Sequence, residues 1–270
     1  MVDLYTWLQY IFLGILQGAT EPLPISSSGH LVIAQHLFGI KTPDLHLEVF
    51  LNGASLFAVF FIYKDDIIKL ILDLLVYFRN PRENDSTPLK FSLLLVIATI
   101  PAVIIGGFLS DFIGGELTNV RTVAVSLLVT GIALWLIRKL RGTKQDSDIS
   151  FVDALIIGGA QSLALAPGIS RSGATVVAGL GKKLAPDVAL KFSFFMSIPV
   201  SIGSLVFESG SILTALTTPG LLLPYLLAFV VAIVISILSI KLLINLVTNG
   251  NLIYFSGYCL ILSLLLLMFR

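Results

Sequence analysis

The sequence predicts an all-α polytopic membrane protein: a single membrane domain over 1–270, built as an inverted-topology repeat with six full transmembrane helices and two re-entrant helix hairpins. Three observations carry this expectation. Of the 270 residues, 56% are hydrophobic and only 12% charged, a balance that water-soluble domains rarely combine. Six apolar stretches approach the roughly 20 residues needed to cross a hydrocarbon core. Two further apolar stretches are interrupted by Pro, Gly and Ser, and they align with one another. The net charge of +1 excludes the broad basic surface that nucleic-acid binding needs, so no nucleic-acid partner is expected. The single cysteine, Cys259, excludes a disulfide framework or a cysteine metal cluster within one chain. Residues 1–10 lack a basic n-region and carry Asp3, so no cleaved signal peptide is read.

The first element is the interrupted stretch 4–37, which contains LGILQGATEPLPISSSGHLVIA. Pro22 and Pro24 cannot donate backbone hydrogen bonds, and three serines follow them. Such backbone survives at membrane depth only where protein or a watery cavity covers it, so a hairpin facing a cavity is expected. Full spans follow at 45–63, 88–108 and 119–138. Between the first two, DIIKLILDLLVYF at 66–78 carries Asp66, Lys69 and Asp73 at helical spacing, the pattern of an amphipathic helix lying along the interface. A second interrupted stretch, 151–181, is the second hairpin, and spans at 189–207, 220–243 and 251–269 complete the chain.

Basic residues orient these elements, because short cytoplasmic connections carry the Lys and Arg excess. Lys64, Lys69, Arg79 and Arg82 follow the first span, and Arg138, Lys139, Arg141 and Lys144 follow the third, whereas 109–118 and 209–219 contain neither Lys nor Arg. The former connections belong inside and the latter outside. With non-crossing hairpins both termini then lie outside.

Sliding the chain against itself by 144 residues pairs Gly14 with Gly158, Gln17 with Gln161, Ile25 with Ile169, Ser26 with Ser170, Ser28 with Ser172, Gly29 with Gly173, Val32 with Val176 and Ala34 with Ala178. These eight identities fall within the 21 positions 14–34, where chance gives about one or two. Repeat one therefore covers about 1–140 and repeat two about 150–270. Each contains a hairpin and three spans, and an odd number of crossings inverts the second half relative to the first. In such folds the ligand site lies near the midplane, at broken helices whose positive N-termini face anions. That places residues 21–30 opposite residues 165–175. Within the alignment Glu21 faces Leu165, Ser27 faces Arg171 and His30 faces Ala174. The first hairpin thus carries the acid, hydroxyl and imidazole, and the second a cation.

QGATEPLPISSSGH and APGISRSGATV resemble the two signature motifs of the undecaprenyl-diphosphate phosphatase family, of the bacitracin-resistance type. The resemblance extends over nearly the whole chain, including KFSFFMSIPV at 191–200. It implies hydrolysis of the C55 lipid diphosphate to the monophosphate, recycling the carrier used for cell-wall polymers. It also implies an inverted repeat with re-entrant hairpins, a plasma-membrane location and a homodimer. The sequence departs from the family pattern at Gln17, where many members carry an acid, at Pro22, where many carry an aromatic residue, and at LNGAS over 51–55.

A diphosphate carries two to three negative charges, and phosphoryl transfer depends on positioning and on neutralising the equatorial oxygens. The planar fork of Arg171 suits that task; the plainer reading is a structural pair with Glu21. Either Ser27 or His30 could be the nucleophile. Ser27 is preferred, with His30 or Glu21 as its base, while the plain reading of His30 is an interfacial histidine like His36 and His46. Glu21, with Gln17 one turn earlier, suits a hard divalent cation, Mg2+ or Ca2+. Ser26, Ser28, Ser170, Ser172 and Thr175 offer a phosphate cradle near helix N-termini, and each serves equally as a helix cap. Glu48 and Asn52 share a face of the first span and read as a polar contact between helices. The competing functions are a transporter or flippase of a polyprenyl phosphate lipid, which needs the cation but no nucleophile, and a lipid phosphatase of the soluble-loop type. The latter needs a second histidine after its Arg motif, and no histidine follows His46. The orientation predicts a site that opens to the outer face.

Overall fold

In the computed structural model, residues 4–38, 45–81, 85–115, 117 and 119–268 are described. They form twelve α-helices and one short 3-10 turn, 146–148, with no strand among them beyond an isolated bridge between Lys144 and Leu184. The helices are α1 (Leu4–Thr20), α2 (Ser27–Phe38), α3 (Leu45–Ile62), α4 (Lys64–Arg79), α5 (Thr87–Gly115), α6 (Val120–Ile137), α7 (Phe151–Leu163), α8 (Arg171–Gly181), α9 (Pro186–Phe207), α10 (Ser209–Thr217), α11 (Leu222–Thr248) and α12 (Ile253–Met268). Both interrupted stretches are helix-break-helix pairs, α1–α2 and α7–α8, whose arms pack on each other.

Local chemistry sets many of the boundaries. The Ser150 side chain accepts the Asp153 amide while Asp153 reaches back to the Ser150 amide, a reciprocal cap that starts α7. Ser170 accepts the Gly173 amide to start α8, and Asn119 accepts the Thr122 amide to start α6. Pro186 occupies the first turn of α9, where its missing N–H costs nothing. One element was not expected from the sequence: the segment read as the outer connection 209–219 holds the short helix α10.

Helices α5, α6, α9 and α11 are long and apolar enough to cross a membrane, and α3 and α12 are shorter apolar helices. All six coincide with the six stretches read from hydropathy. Helix α4 buries no residue and leaves Ile68, Ile71, Leu72, Leu75 and Phe78 exposed beside its charges. Those exposed apolar groups suit a helix that rests on lipid.

Packing crosses between the halves of the chain. Helix α1 lies on α11, α7 on α5, α6 on α12, and α3 on α9 and α11. Two aligned glycines allow the first two of these contacts. A Cβ on Gly14 would stand 2.5 Å from the Ala228 carbonyl oxygen, and one on Gly158 would stand 2.3 Å from that of Ala98. Phe192, Leu184, Met196 and Leu190 fill the larger core, and Tyr225, Leu47 and Leu51 a smaller one beside it. The hairpin tips, 21–26 and 164–170, are thereby brought together between the helices.

Candidate active site

Residues 21–26 cannot continue α1. Glu21 closes its last turn with a 2.9 Å bond to the Gln17 carbonyl, after which Pro22 and Pro24 remove two backbone donors. Ser26 then adopts φ 69°, a left-handed conformation that costs a non-glycine residue on the order of 1 kcal/mol. Ser27 is the first residue of α2. In the other tip the left-handed position is Gly168, at φ 94°, where a side chain would also run into Ser126.

The tips are stitched together by backbone and hydroxyl groups. Ser26 Oγ accepts the Gly29 amide (3.2 Å) and, across the tips, the Gly168 amide (3.1 Å). Ser170 Oγ and Ser172 Oγ both donate to the Leu23 carbonyl, at 3.3 and 3.0 Å. Ser28 Oγ lies 3.3 Å from Ser26 Oγ, and Thr175 Oγ1 is 2.6 Å from Ser193 Oγ while donating to the Arg171 carbonyl. The hydroxyls expected to cradle phosphate are therefore engaged with protein groups, Ser26, Ser170 and Ser172 in caps or tip-to-tip bonds, Ser28 with Ser26 and Thr175 with Ser193, and none of them lines the adjoining cavity.

Glu21 is the hub of the arrangement. Its Oε1 accepts from the Arg171 guanidinium at 2.7 Å, its Oε2 accepts from Ser27 Oγ, and Gln17 Nε2 donates to the same Oε2 at 3.2 Å. The Glu21 side chain is 10% exposed and that of Arg171 23%, so the pair is screened far less than a surface ion pair. Gln17, Glu21, Ser27 and Arg171 are thus joined through contacts spanning up to 150 positions of chain. The imidazole of His30 stands apart: both ring nitrogens bond elsewhere, to the Ser26 carbonyl and to the Tyr258 hydroxyl, and neither bonds Ser27 or Glu21.

A slim cavity of about 10 Å³ adjoins the Glu21–Arg171 pair and is lined also by Asn52, Ser55, Phe194, Ser197 and Ser201. That is room for about one water, so a diphosphate must part the walls or take Arg171 from Glu21. Asn52 accepts from Ser201 at 3.4 Å and Ser55 shares a 2.9 Å bond with Ser236. Asn52 thus makes the interhelical contact its position predicts, and the serines of α9 and α11, which no motif marks, are signalled only by their recurrence on one face of apolar helices.

Electrostatically the site favours an anion. The N-termini of α2 and α8 both start at the tips, and a cation sits in the first turn of α8. A divalent cation is compatible with the donors present. Gln17 Oε1 is buried and accepts no hydrogen bond, and Glu21 lies beside it, but among the described residues no group of three His, Cys, Asp or Glu could form a protein cage. The set therefore fits a hard cation that takes most of its ligands from phosphate and water.

The sequence profile of the family described as "Bacitracin resistance protein BacA" matches residues 10–265. "Undecaprenyl-diphosphatase 2" of Bacillus thuringiensis is 46% identical over 269 residues, covering all of both chains. "Undecaprenyl-diphosphatase 1" of Bacillus licheniformis is 44% identical over 269 residues, 99% of this chain and 100% of that one. "Undecaprenyl-diphosphatase" of Oceanobacillus iheyensis is 43% identical over 271 residues, 99% of this chain and 98% of that one. With a profile match over most of its length and full-length relatives well above 30% identity, the chain belongs to the bacitracin resistance protein BacA family.

Proposed function

We propose that this multi-pass membrane protein is an undecaprenyl-diphosphate phosphatase that hydrolyses the polyprenyl diphosphate to its monophosphate and free phosphate, recycling the lipid carrier for cell-wall synthesis. The observation that carries the mechanism is the Glu21 carboxylate, which holds Ser27 Oγ on one oxygen and Arg171 on the other.

In this mechanism Ser27 Oγ attacks the terminal phosphorus as its proton passes to Glu21 Oε2, and the bridging P–O bond breaks to release the lipid monophosphate. Water then cleaves the phosphoserine, returning Ser27 and releasing phosphate. Arg171 turns its fork from Glu21 to the phosphoryl oxygens and offsets the charge that develops there. His30 is neither nucleophile nor base. Ser26, Ser28, Ser170, Ser172 and Thr175 hold the two helix N-termini towards the phosphates. Gln17 and Glu21 would hold Mg2+ or Ca2+, which would supply positive charge to offset that of the phosphates.

The accompanying topology is a single domain of two inverted repeats, about 1–140 and 150–270. Helices α3, α5, α6, α9, α11 and α12 cross the bilayer, and the α1–α2 and α7–α8 hairpins re-enter from opposite faces. Both termini lie outside, the site opens outward and the protein pairs as a homodimer. The basic residues of the 64–82 and 138–144 connections support this orientation.

The test is phosphate release by detergent-purified protein from a long-chain polyprenyl diphosphate, with and without chelator, for wild type and Ser27→Ala. Metal-dependent release that Ser27→Ala abolishes is expected. Turnover retained by Ser27→Ala sinks its role as nucleophile, and wild-type protein that binds the lipid without releasing phosphate would instead be a lipid transporter. An impermeant thiol reagent is expected to reach Ser27→Cys, in a Cys259→Ser background, from outside only; labelling from the cytoplasm alone overturns the orientation.

A further inference from the structure

His30 is 8% exposed, and its ring lies nearly parallel to the Tyr258 ring, with centroids 5.7 Å apart and 10° between planes. Its Nδ1 is 2.6 Å from the Ser26 carbonyl oxygen and its Nε2 is 2.6 Å from the Tyr258 hydroxyl. A carbonyl cannot donate, so Nδ1 carries a proton, and in the neutral ring the Tyr258 hydroxyl donates to the lone pair on Nε2. Tyr258 is itself held in place by its helix. Ser256 Oγ and Ser263 Oγ fasten α12 to the carbonyls of Gly131 and Ala124 in α6, at 2.8 and 2.6 Å, and Cys259 faces the Pro24 carbonyl.

The far end of this chain of contacts is Ser26, the left-handed residue immediately before Ser27. Comparison of the two tips points the same way. Ser170, aligned with Ser26, has an ordinary φ of −76°, and Ala174 stands where His30 stands. The strained serine has the imidazole behind it and the unstrained one has none. We propose that Tyr258 and His30 are positioning residues, bracing the left-handed turn at Ser26 through the His30 Nδ1–H so that Ser27 Oγ stays aimed at Glu21. This rests on the reading of Ser27 as the nucleophile.

The test measures kcat, KM and thermal stability in detergent for Tyr258→Phe, His30→Asn, His30→Ala and the Tyr258→Phe/His30→Asn double variant. Tyr258→Phe keeps the ring and removes the donor, and is expected to lower kcat about tenfold with KM unchanged, the scale of one misplaced contact. Asparagine can offer an amide N–H where Nδ1–H stood, so His30→Asn is expected to be about tenfold more active than His30→Ala. Tyr258→Phe is expected to add nothing to His30→Asn, because the two act in series. Wild-type kcat in Tyr258→Phe, a loss confined to KM, additive losses in the double variant, or His30→Asn as inactive as His30→Ala would each overturn the proposal. If Tyr258→Phe proves unstable, the ranking of the two His30 variants decides alone. Ser27→Ala separates the two ideas: its retained turnover would remove the nucleophile reading, whereas the Tyr258–His30 coupling is read from kcat in proteins that keep Ser27.

Discussion

At the tip of the first hairpin a serine at φ 69° precedes α2, with an acid five residues before it and an imidazole four residues after. At the tip of the second, the aligned serine sits at φ −76°, the acid is Leu165, the imidazole is Ala174, and a guanidinium occupies the place of the hydroxyl. Both serines cap a helix and both reach across to the other tip. What the tips share is therefore the architecture that presents two helix N-termini to one point. What they do not share is the chemistry. The two tips share the serine cap and the cross-tip bond and differ in the titratable side chains beside them.

The second hairpin contributes its charge through one residue, so the largest effect is expected there. Arg171→Ala should lower phosphate release by about 10³-fold, because it removes the fork that offsets the developing charge and leaves the Glu21 charge uncompensated in a weakly screened site. Arg171→Lys should recover only part of this, since a point charge cannot bond two phosphate oxygens in one plane. Turnover within about twofold of wild type in Arg171→Ala would mean that the pair with Glu21 is structural and that the second tip is a scaffold only.

An intermediate effect sharpens the comparison through its aligned glutamines. Gln17 has Glu21 one turn on, whereas Gln161 has Leu165, and both side-chain polar atoms of Gln161 are buried without a hydrogen-bond partner. Gln17→Leu should lower turnover about tenfold, by removing a donor to the Glu21 carboxylate. Gln161→Leu should leave turnover unchanged and the melting temperature equal or higher, because an unpaired buried amide is costlier than a hydrocarbon of similar shape. Lost activity in Gln161→Leu would show that the second hairpin reaches the chemistry by a further route.

The smallest effect concerns how each hairpin is anchored. Asp153, in the first turn of α7, bonds Lys144 at 2.8 Å, lies 3.5 Å from Lys182 and accepts the Ser150 amide. Burial alone would raise its carboxyl, but the Lys144 and Ser150 bonds outweigh that and hold it down at about 2, against an ordinary 3.8. A carboxyl depressed on folding stabilises above its unfolded pKa, so this contribution is complete at neutral pH and is lost as pH falls from about 4 to about 2. Gln9 stands at the aligned position of the first hairpin. Thermal unfolding followed across that window should show a loss in wild type that Asp153→Asn lacks; parallel curves would remove the ion pairs from the account.

The members of the site were legible because each is anomalous where it stands. A carboxylate, an imidazole and a guanidinium inside apolar stretches demand partners, and the 144-residue alignment indicated which two segments would supply them. The helices were legible for a related reason: hydropathy and helical spacing act within a few turns, and caps such as Ser150 and Ser170 act within three residues. The bonding inside the tips was not legible. Residues 21–26 and 164–170 follow no regular period, so spacing does not say which way a side chain points, and His30 reads from sequence as a neighbour of Ser27 although it bonds Ser26 and Tyr258.

The sequence by itself determined that the chain is apolar, where its helices run, that two broken segments share eight identities at an offset of 144 residues, and which residues are too polar to be there for packing. Only the tertiary structure decided that Glu21 joins Ser27 to Arg171, that Ser26, Ser170 and Ser172 spend their hydroxyls on caps and on the opposite tip, and that Tyr258 stands behind His30. The physical reason is distance along the chain. Helix formation and capping depend on neighbours within about four residues, whereas the Glu21–Arg171 and His30–Tyr258 bonds close loops of 150 and 228 positions and exist only once α1 has settled on α11, α7 on α5 and α12 on α6.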